Sequence, residues 1–544
     1  MNKVGAWSRA ELLRLALLCL FAAGLWGVYL KFSFVGFMAD PIWYLEPARN
    51  FARGWGLVSR LMLPAQVAGF PEGFHPPVGY LHHGPVAPLL IGLGYKIFGF
   101  KDCVPLAITF SLTLLTGLIL YRLARDVSGE ACALLSAIFF WSSYLIMEGN
   151  YGSLTDAPFI LFITAAFLFL WKSGGARSPL SWLSAAGFTL GLASCTRLAG
   201  QTYWPSFILA VLWLHRDFRA LSAFLGALII PLIPLSLYNH QAAGVYFYSP
   251  GFYILNWSPS FPGFRSSTSY MNITTLQALL SYPMDFAQKI VTGPAYAVNR
   301  FLESAHAPYF TALVFLGLLA DYGTHRAAEK FRKLALMIIV PVFAFNAVIS
   351  YGAVHYLNPL WPIFSVVGAL FLEKFIRDNS KVLRPWAALG VPICALLFLS
   401  PAALQIKDLW KTRAQRQALY EDEGEMGKFA AESTGEREVI YTDANRAVCW
   451  RADRAAVALP ATKEDAEKTF RHLPPDAILL TSLRIHSDDY DQSWREAFKT
   501  KTPVMGFAPC AEFSSGAIQA VLFRRPDNCK NRRIDAKLKA SLRS

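Results

Sequence analysis

Apolar runs of bilayer length recur from the N-terminus to about residue 404 and then stop. They lie near 12–30, 104–121, 131–148, 156–171, 182–198, 202–214, 220–238, 307–321, 334–351, 356–373 and 385–404. A helix needs roughly 17–25 apolar residues to cross a hydrocarbon core, so the pattern predicts about eleven transmembrane helices, some short and with uncertain edges. The first run follows a basic head (Lys3, Arg9, Arg14) and is followed by no small-x-small cleavage site. It therefore reads as a retained helix and not as a removed leader.

Two long polar stretches interrupt this pattern, 31–102 and 239–306. The first contains FMADPIWYLEPARNFARGWG and then FHPPVGYLHHGPVAPLLIGLGYKIFG. Within it Pro85 to Phe98 is apolar but only 14 residues long, below spanning length. Charge decides how it lies. If it does not span, the loops around 122–130, 172–181, 215–219, 325–333 and 374–384 share the side of the N-terminus. These loops hold most of the short-loop cations, among them Arg122, Arg125, Lys172, Arg216, Lys330, Lys374 and Arg384. That satisfies the positive-inside rule; a spanning segment would invert every later loop. Pro85–Phe98 is thus expected as an interfacial or re-entrant helix. The N-terminus is expected in the cytoplasm of a cell (inner) membrane protein, with both long loops and the C-terminal tail on the far side.

Beyond residue 404 the periodicity changes. EREVIYTD, RAAVALP, DAILLTSL and AIQAVLFRRP read as strands; ANRAVCWRAD, KEDAEKTFRHL and YDQSWREAFKT read as helices. The alternation predicts a small α/β domain. Two domains are expected: a membrane domain, 1–404, and an α/β tail, 405–544, ending in a basic segment.

Composition agrees with this division. The chain has 544 residues, 54% apolar and 16% charged, with a net charge of +14 and mean hydropathy of +0.35. The excess of Lys and Arg sits in short loops and forms no basic stripe on a soluble motif, which argues against nucleic acid as a partner. The eight cysteines show no metal spacing. Three of them, Cys449, Cys510 and Cys529, fall in the tail, where an oxidising compartment would permit a disulfide.

Candidate chemistry clusters at the expected outer ends of spans. Asp40 follows the first span by about ten residues, and Asp156 opens another span in GSLTDAPFILF, so two carboxylates meet one face of the membrane from different segments. Arg197, in LGLASCTRLAGQTYWP, is a cation where the positive-inside rule expects none. A guanidinium there suits a phosphate, or alternatively an ion pair with an outer carboxylate. His355 and Tyr356, in YGAVHYLNPLWPIF, are placed to donate to the same anion. Glu46, His82, His83 and Arg300 are further candidate substrate contacts. His75, His82, His83 and Asp40 match no standard metal spacing, so neither metal nor cofactor is assigned. The aromatic 239–306 loop (VYFYSPGFYILNWSPSFPGF) suits either sugar stacking or an interfacial belt.

At these residues the sequence resembles the GT-C glycosyltransferases. The resemblance is to the branch with protein O-mannosyltransferases, the lipid A aminoarabinose transferase and lipopolysaccharide galacturonosyl- and mannosyltransferases (glycosyltransferase family 39-like). It is carried by Asp40 early in the first outer loop, HHGPVAPLLIGLGYKIFG, Thr155-Asp156, GLASCTR, HYLNPLWPIF and TDANRAVCWRADRAAVALP in the tail. Relatives often have Asp-Glu in the first loop, whereas Pro41 follows Asp40 here; the second carboxylate is then Glu46, Asp156 or absent. His355 stands where relatives often have Arg.

The resemblance implies an all-α polytopic GT-C domain with interfacial helices in its first loop, plus the α/β tail. It implies transfer of a sugar from a polyprenyl-phosphate donor to a hydroxyl of a lipid, glycan or protein, with inversion. Asp40 would be the base, with Asp156 as its partner; Arg197, His355 and Tyr356 would hold the donor phosphate. Two rival readings are a lipid or solute transporter or flippase, which would favour charges in mid-span, and a non-catalytic assembly protein.

Overall fold

The computed structural model describes residues 9–304, 308–323, 325–349, 354–383, 387–487 and 489–529. Among these, six helical segments are long and apolar enough to cross a membrane: Arg9–Ser33, Cys103–Ser128, Asp156–Ser173, Phe218–Ala243, Arg326–Val348 and Leu357–Asp378. Glu130–Trp141 and Tyr144–Gly152, bent by 49° at their junction, make a seventh if counted as one span. The protein is a multi-pass membrane protein. The other apolar runs fall on the helices Pro179–Thr196, Trp204–His215 and Pro308–Leu319 and on Ala387–Ser433. Trp204–His215 and Pro308–Leu319 have 12 residues each, about 18 Å of helix against roughly 30 Å of hydrocarbon. Proline and glycine set these breaks. The chain leaves Pro179–Thr196 extended at Arg197 (φ −144°, ψ 140°), makes a 3₁₀ turn at Leu198–Tyr203, and restarts with Pro205 in the first turn.

Val86–Phe98 is a helix of 13 residues, about 20 Å long and so shorter than a span. It lies against a second helix of the first loop, Ile42–Ala52. Two short strands, β1 (Val58–Ser59) and β2 (Leu61–Met62), follow that helix, and β3 (Val78–Gly79) pairs antiparallel with β1.

The tail folds as expected around β4 (Val439–Thr442), β5 (Ala455–Ala458), β6 (Ala477–Thr481) and β8 (Ile518–Arg524), with one unforeseen strand, β7 (Ala508–Ser515). The sheet order is β2-β5-β4-β6-β8-β7. Its parallel centre, β5-β4-β6, continues into β2 of the first loop, which pairs Leu61 with Ala456 and Met62 with Val457. Side chains alternate across a strand, and both faces are buried. Ile440, Ala456 and Leu479 pack with Ile42 and Leu45 of the first loop, while Tyr441, Val457 and Ile478 pack with Trp494.

Charge reinforces this seam. Asp453 pairs with Arg49 at 2.8 Å, Arg53 at 3.0 Å and Arg60. The helix Ala387–Ser433 runs unbroken through position 405 and joins the last apolar run to the sheet. Cys510, within β7, forms a disulfide with Cys529.

Candidate functional site

The site lies where the first loop, the 239–306 loop and the tail meet the helix ends. A turn at Gly36 (φ +132°) presses the chain against Tyr420, whose ring occupies the place a Cβ would take. Asp40 follows, just before Pro41, which precedes the helix Ile42–Ala52. Its carboxylate is 67% exposed and accepts from Arg446 Nη1 at 2.5 Å. Arg446 sits in the helix Asn445–Arg451, directly after β4, with its guanidinium 5.8 Å from the Trp43 ring centroid. Arg484, after β6, is close enough for its charge to oppose that of Arg446. Burial and Arg484 both depress the Arg446 pKa, while Asp40 raises it.

Behind Asp40 stands an aromatic wall. His82 stacks on Trp43 with centroids 3.8 Å apart, and His83 stacks on Tyr44 at 5.2 Å. Tyr253, from the second long loop, places its Oη 2.6 Å from His82 Nδ1. Gln66 Nε2 lies 3.4 Å from the same nitrogen. Burial pushes the His82 pKa well down, helped by the His83 and Arg446 charges, so its ring is neutral at physiological pH. Gly84 follows His83, and a Cβ there would overlap the carbonyl of Cys195. The His-His-Gly stretch therefore seats directly on the end of the helix that leads to Arg197.

Below the wall, Asp156 and Arg197 face each other. Both are buried, 2% and 4% exposed, and Arg197 Nη1 pairs with Asp156 Oδ1. Ser153 Oγ donates to that oxygen at 3.0 Å, and Asn358 Nδ2 donates to Oδ2 at 3.0 Å. Thr155 precedes Asp156, but its side chain does not cap the helix. Tyr44 lies between the layers, near Thr155, Asp156 and Arg197 on one side and Asp40 on the other. Burial raises its phenol above the usual range, against the opposing pull of Arg197.

The structure thus brings together Asp40, Asp156, Arg197, His82 and His83. Glu46 is fully buried and takes another role. Its carboxylate accepts from Asn50 at 2.5 Å, Ser59 at 2.7 Å and the Arg60 amide at 3.1 Å, which fixes the turn into β1 and β2. The side chains of Arg300, His355 and Tyr356 lie outside the described residues. Nearby Asn358 shows that the HYLNP stretch reaches Asp156. Among the described residues no three of His, Cys, Asp and Glu converge as a metal site. Sequence reasoning missed Arg446, Tyr253 and Tyr44. Arg446 carried a usable signal, since residues just past a parallel strand flank the crevice where α/β sheets bind ligands.

The family described as Dolichyl-phosphate-mannose-protein mannosyltransferase matches residues 82–238. An uncharacterized protein of Aquifex aeolicus is 30% identical over 333 residues, and the chain spans 58% of that relative's length with 58% of its own. Among solved structures, ArnT of Cupriavidus metallidurans, bound to undecaprenyl phosphate, matches with a TM-score of 0.57 at 12% identity, covering 93% of this chain and 97% of that one. Archaeal oligosaccharyltransferase AglB from Archaeoglobus fulgidus, with an inhibitory peptide and a dolichol-phosphate, matches at 0.54 and 13% identity, covering 87% and 70%.

Proposed function

We propose that this chain, which is similar over residues 82–238 to the dolichyl-phosphate-mannose-protein mannosyltransferase family and shares the fold of ArnT, is a GT-C-type membrane glycosyltransferase that moves a sugar from a polyprenyl-phosphate donor to a hydroxyl of a lipid, glycan or protein acceptor. The observation that carries the reading is the exposed Asp40 carboxylate, held by Arg446 in front of the His82/His83/Tyr253 wall. Asp40 takes the proton from the acceptor hydroxyl. The acceptor oxygen bonds to the anomeric carbon as the bond from that carbon to the phosphate oxygen breaks. The lipid phosphate leaves with the electron pair, and single displacement inverts the centre. A leaving group that is already anionic needs positive charge more than a proton. Arg446 and Arg484 supply that charge at the rim. Arg197 and Asp156, committed to each other, form the floor that fixes the two helix ends and His82-His83-Gly84.

The basic loops favour a cytoplasmic N-terminus in the cell membrane. The Cys510–Cys529 bridge favours an oxidising compartment for the tail. On this reading residues 405–544 cover the cleft from the extracytoplasmic side.

The test is transfer of labelled sugar from a panel of polyprenyl-phosphate sugars in membranes holding wild type or Asp40→Asn. Loss of a general base predicts a fall of about 10²–10⁴-fold at equal expression. Undiminished turnover in Asp40→Asn removes Asp40 from its role, and no turnover with any donor sinks the transferase reading.

A further inference from the structure

Four residues beyond Tyr253, the same loop reaches Trp257. Its backbone is left-handed (φ +61°), an unusual conformation for a bulky residue and one that persists only where surroundings enforce it. The surroundings are visible. Lys289, 1% exposed, donates to the carbonyls of Ile254 at 2.6 Å and Asn256 at 2.7 Å. The Trp257 amide donates to Gly263 O at 2.8 Å and closes the loop Ser-Pro-Ser-Phe-Pro between them. The result holds the indole 48% exposed on the wall of a cavity of about 520 Å³, within the usual size of small-molecule sites.

The lining has a particular chemistry. Trp257, Pro259 and Pro262 offer flat apolar faces; Gln288 and Asp489 offer an amide and a carboxylate. Asp489 accepts from Phe264 N and from Ser487 Oγ, each at 3.2 Å, which leaves further lone-pair positions on its oxygens. Ser258 also lines the cavity. It is 3% exposed, and its hydroxyl has no hydrogen-bond partner among the described residues. Buried polar groups are normally satisfied, and one that is not asks for a partner. An apolar ligand would leave Gln288 and Asp489 unmet. A polyhydroxylated ring satisfies them and lays its C–H face on the indole.

We infer that this cavity, walled by Trp257, Pro259, Pro262 and Ser258, is a carbohydrate subsite for the acceptor. The inference rests on the transferase reading. Four residues of chain reach at most about 14 Å, which bounds the backbone separation of Trp257 from Tyr253 on the wall beside Asp40.

The test is saturation-transfer NMR on the full-length protein in detergent. The probes are the methyl glycosides and disaccharides of glucose, galactose, mannose, N-acetylglucosamine and their uronic acids. Saturation of ring protons is expected for at least one probe in wild type and in Asp40→Asn. It should fall about tenfold in affinity in Trp257→Ala, the upper range of one aromatic contact. Gln288→Ala, at an exposed helix position, is expected to weaken the same probe and guards against misfolding of the tryptophan variant. Absence of saturation from every probe, or binding unchanged in both variants, overturns the subsite. Trp257-dependent binding in a protein that transfers no sugar keeps the subsite and removes the transferase reading. Transfer whose acceptor KM is unchanged in both variants keeps the reading and removes the subsite.

Discussion

Arg446 and Asp40 are 406 positions apart in the chain and 2.5 Å apart in space. The pair joins the first helix of the tail's sheet to the first loop of the membrane domain. Asp40 is 67% exposed, and a pair with one partner open to water contributes only about 0–1 kcal/mol to stability, so its importance is positional. Arg446→Ala is expected to lower kcat by roughly one to two orders of magnitude while the melting temperature stays within a few degrees. Arg446→Lys should recover part of the turnover, because a point charge still orients a carboxylate. Full activity in the alanine variant would dismiss Arg446 as a positioning residue.

Asp156 and Arg197 behave differently because both are buried. Removing one partner strands the other charge, which costs about 3–5 kcal/mol. Arg197→Ala should therefore melt well below wild type. Asp156→Asn combined with Arg197→Gln should recover most of the loss. A double variant as unstable as the two singles added together would show that the partners act independently.

Asp453 holds Arg49, Arg53 and Arg60 at once. Asp453→Ala is predicted to cost about 2–3 kcal/mol, the scale of hydrogen bonds to charged groups. The seam between tail and first loop should then open to limited proteolysis near residues 53–60. An unchanged cleavage pattern would mean that the β2–β5 pairing alone secures the seam.

Asp443, at the end of β4, is buried and its pKa is pushed up to about 6 by burial, although Thr481 and Arg484 donors pull it down. Its folded pKa lies above the unfolded value of about 3.9. Below that unfolded value the contribution to stability is fully present, and it is lost as pH rises through about 6. Melting of wild type relative to Asp443→Asn should thus decline between about pH 4 and pH 6. A constant difference across that window would contradict the assignment.

The proposed orientation is checked by fusions at the C-terminus. Alkaline phosphatase should be active there and green fluorescent protein dark; the reverse result would invert the topology.

Much of this molecule was legible in its sequence because membranes and sheets impose strong periodicities. Apolar runs located the helices, and the 14 apolar residues at Pro85–Phe98 fold as a helix too short to span. Alternation in the tail gave β4, β5, β6 and β8; β7, with its partly exposed positions, carried no such signal. Asp40, Asp156, Arg197 and the His82-His83 pair were legible as charged or polar residues in apolar surroundings. Their partners were not. Which carboxylate neutralises Arg197, that Glu46 turns inward, and that Arg446 crosses from the tail to Asp40 all depend on contacts between segments hundreds of residues apart. So does β2, a two-residue strand that exists as part of the sheet only because β5 lies beside it. Local sequence determines which segments are helix or strand through solvation and periodicity; pairings made by packing emerge only when the chain is folded.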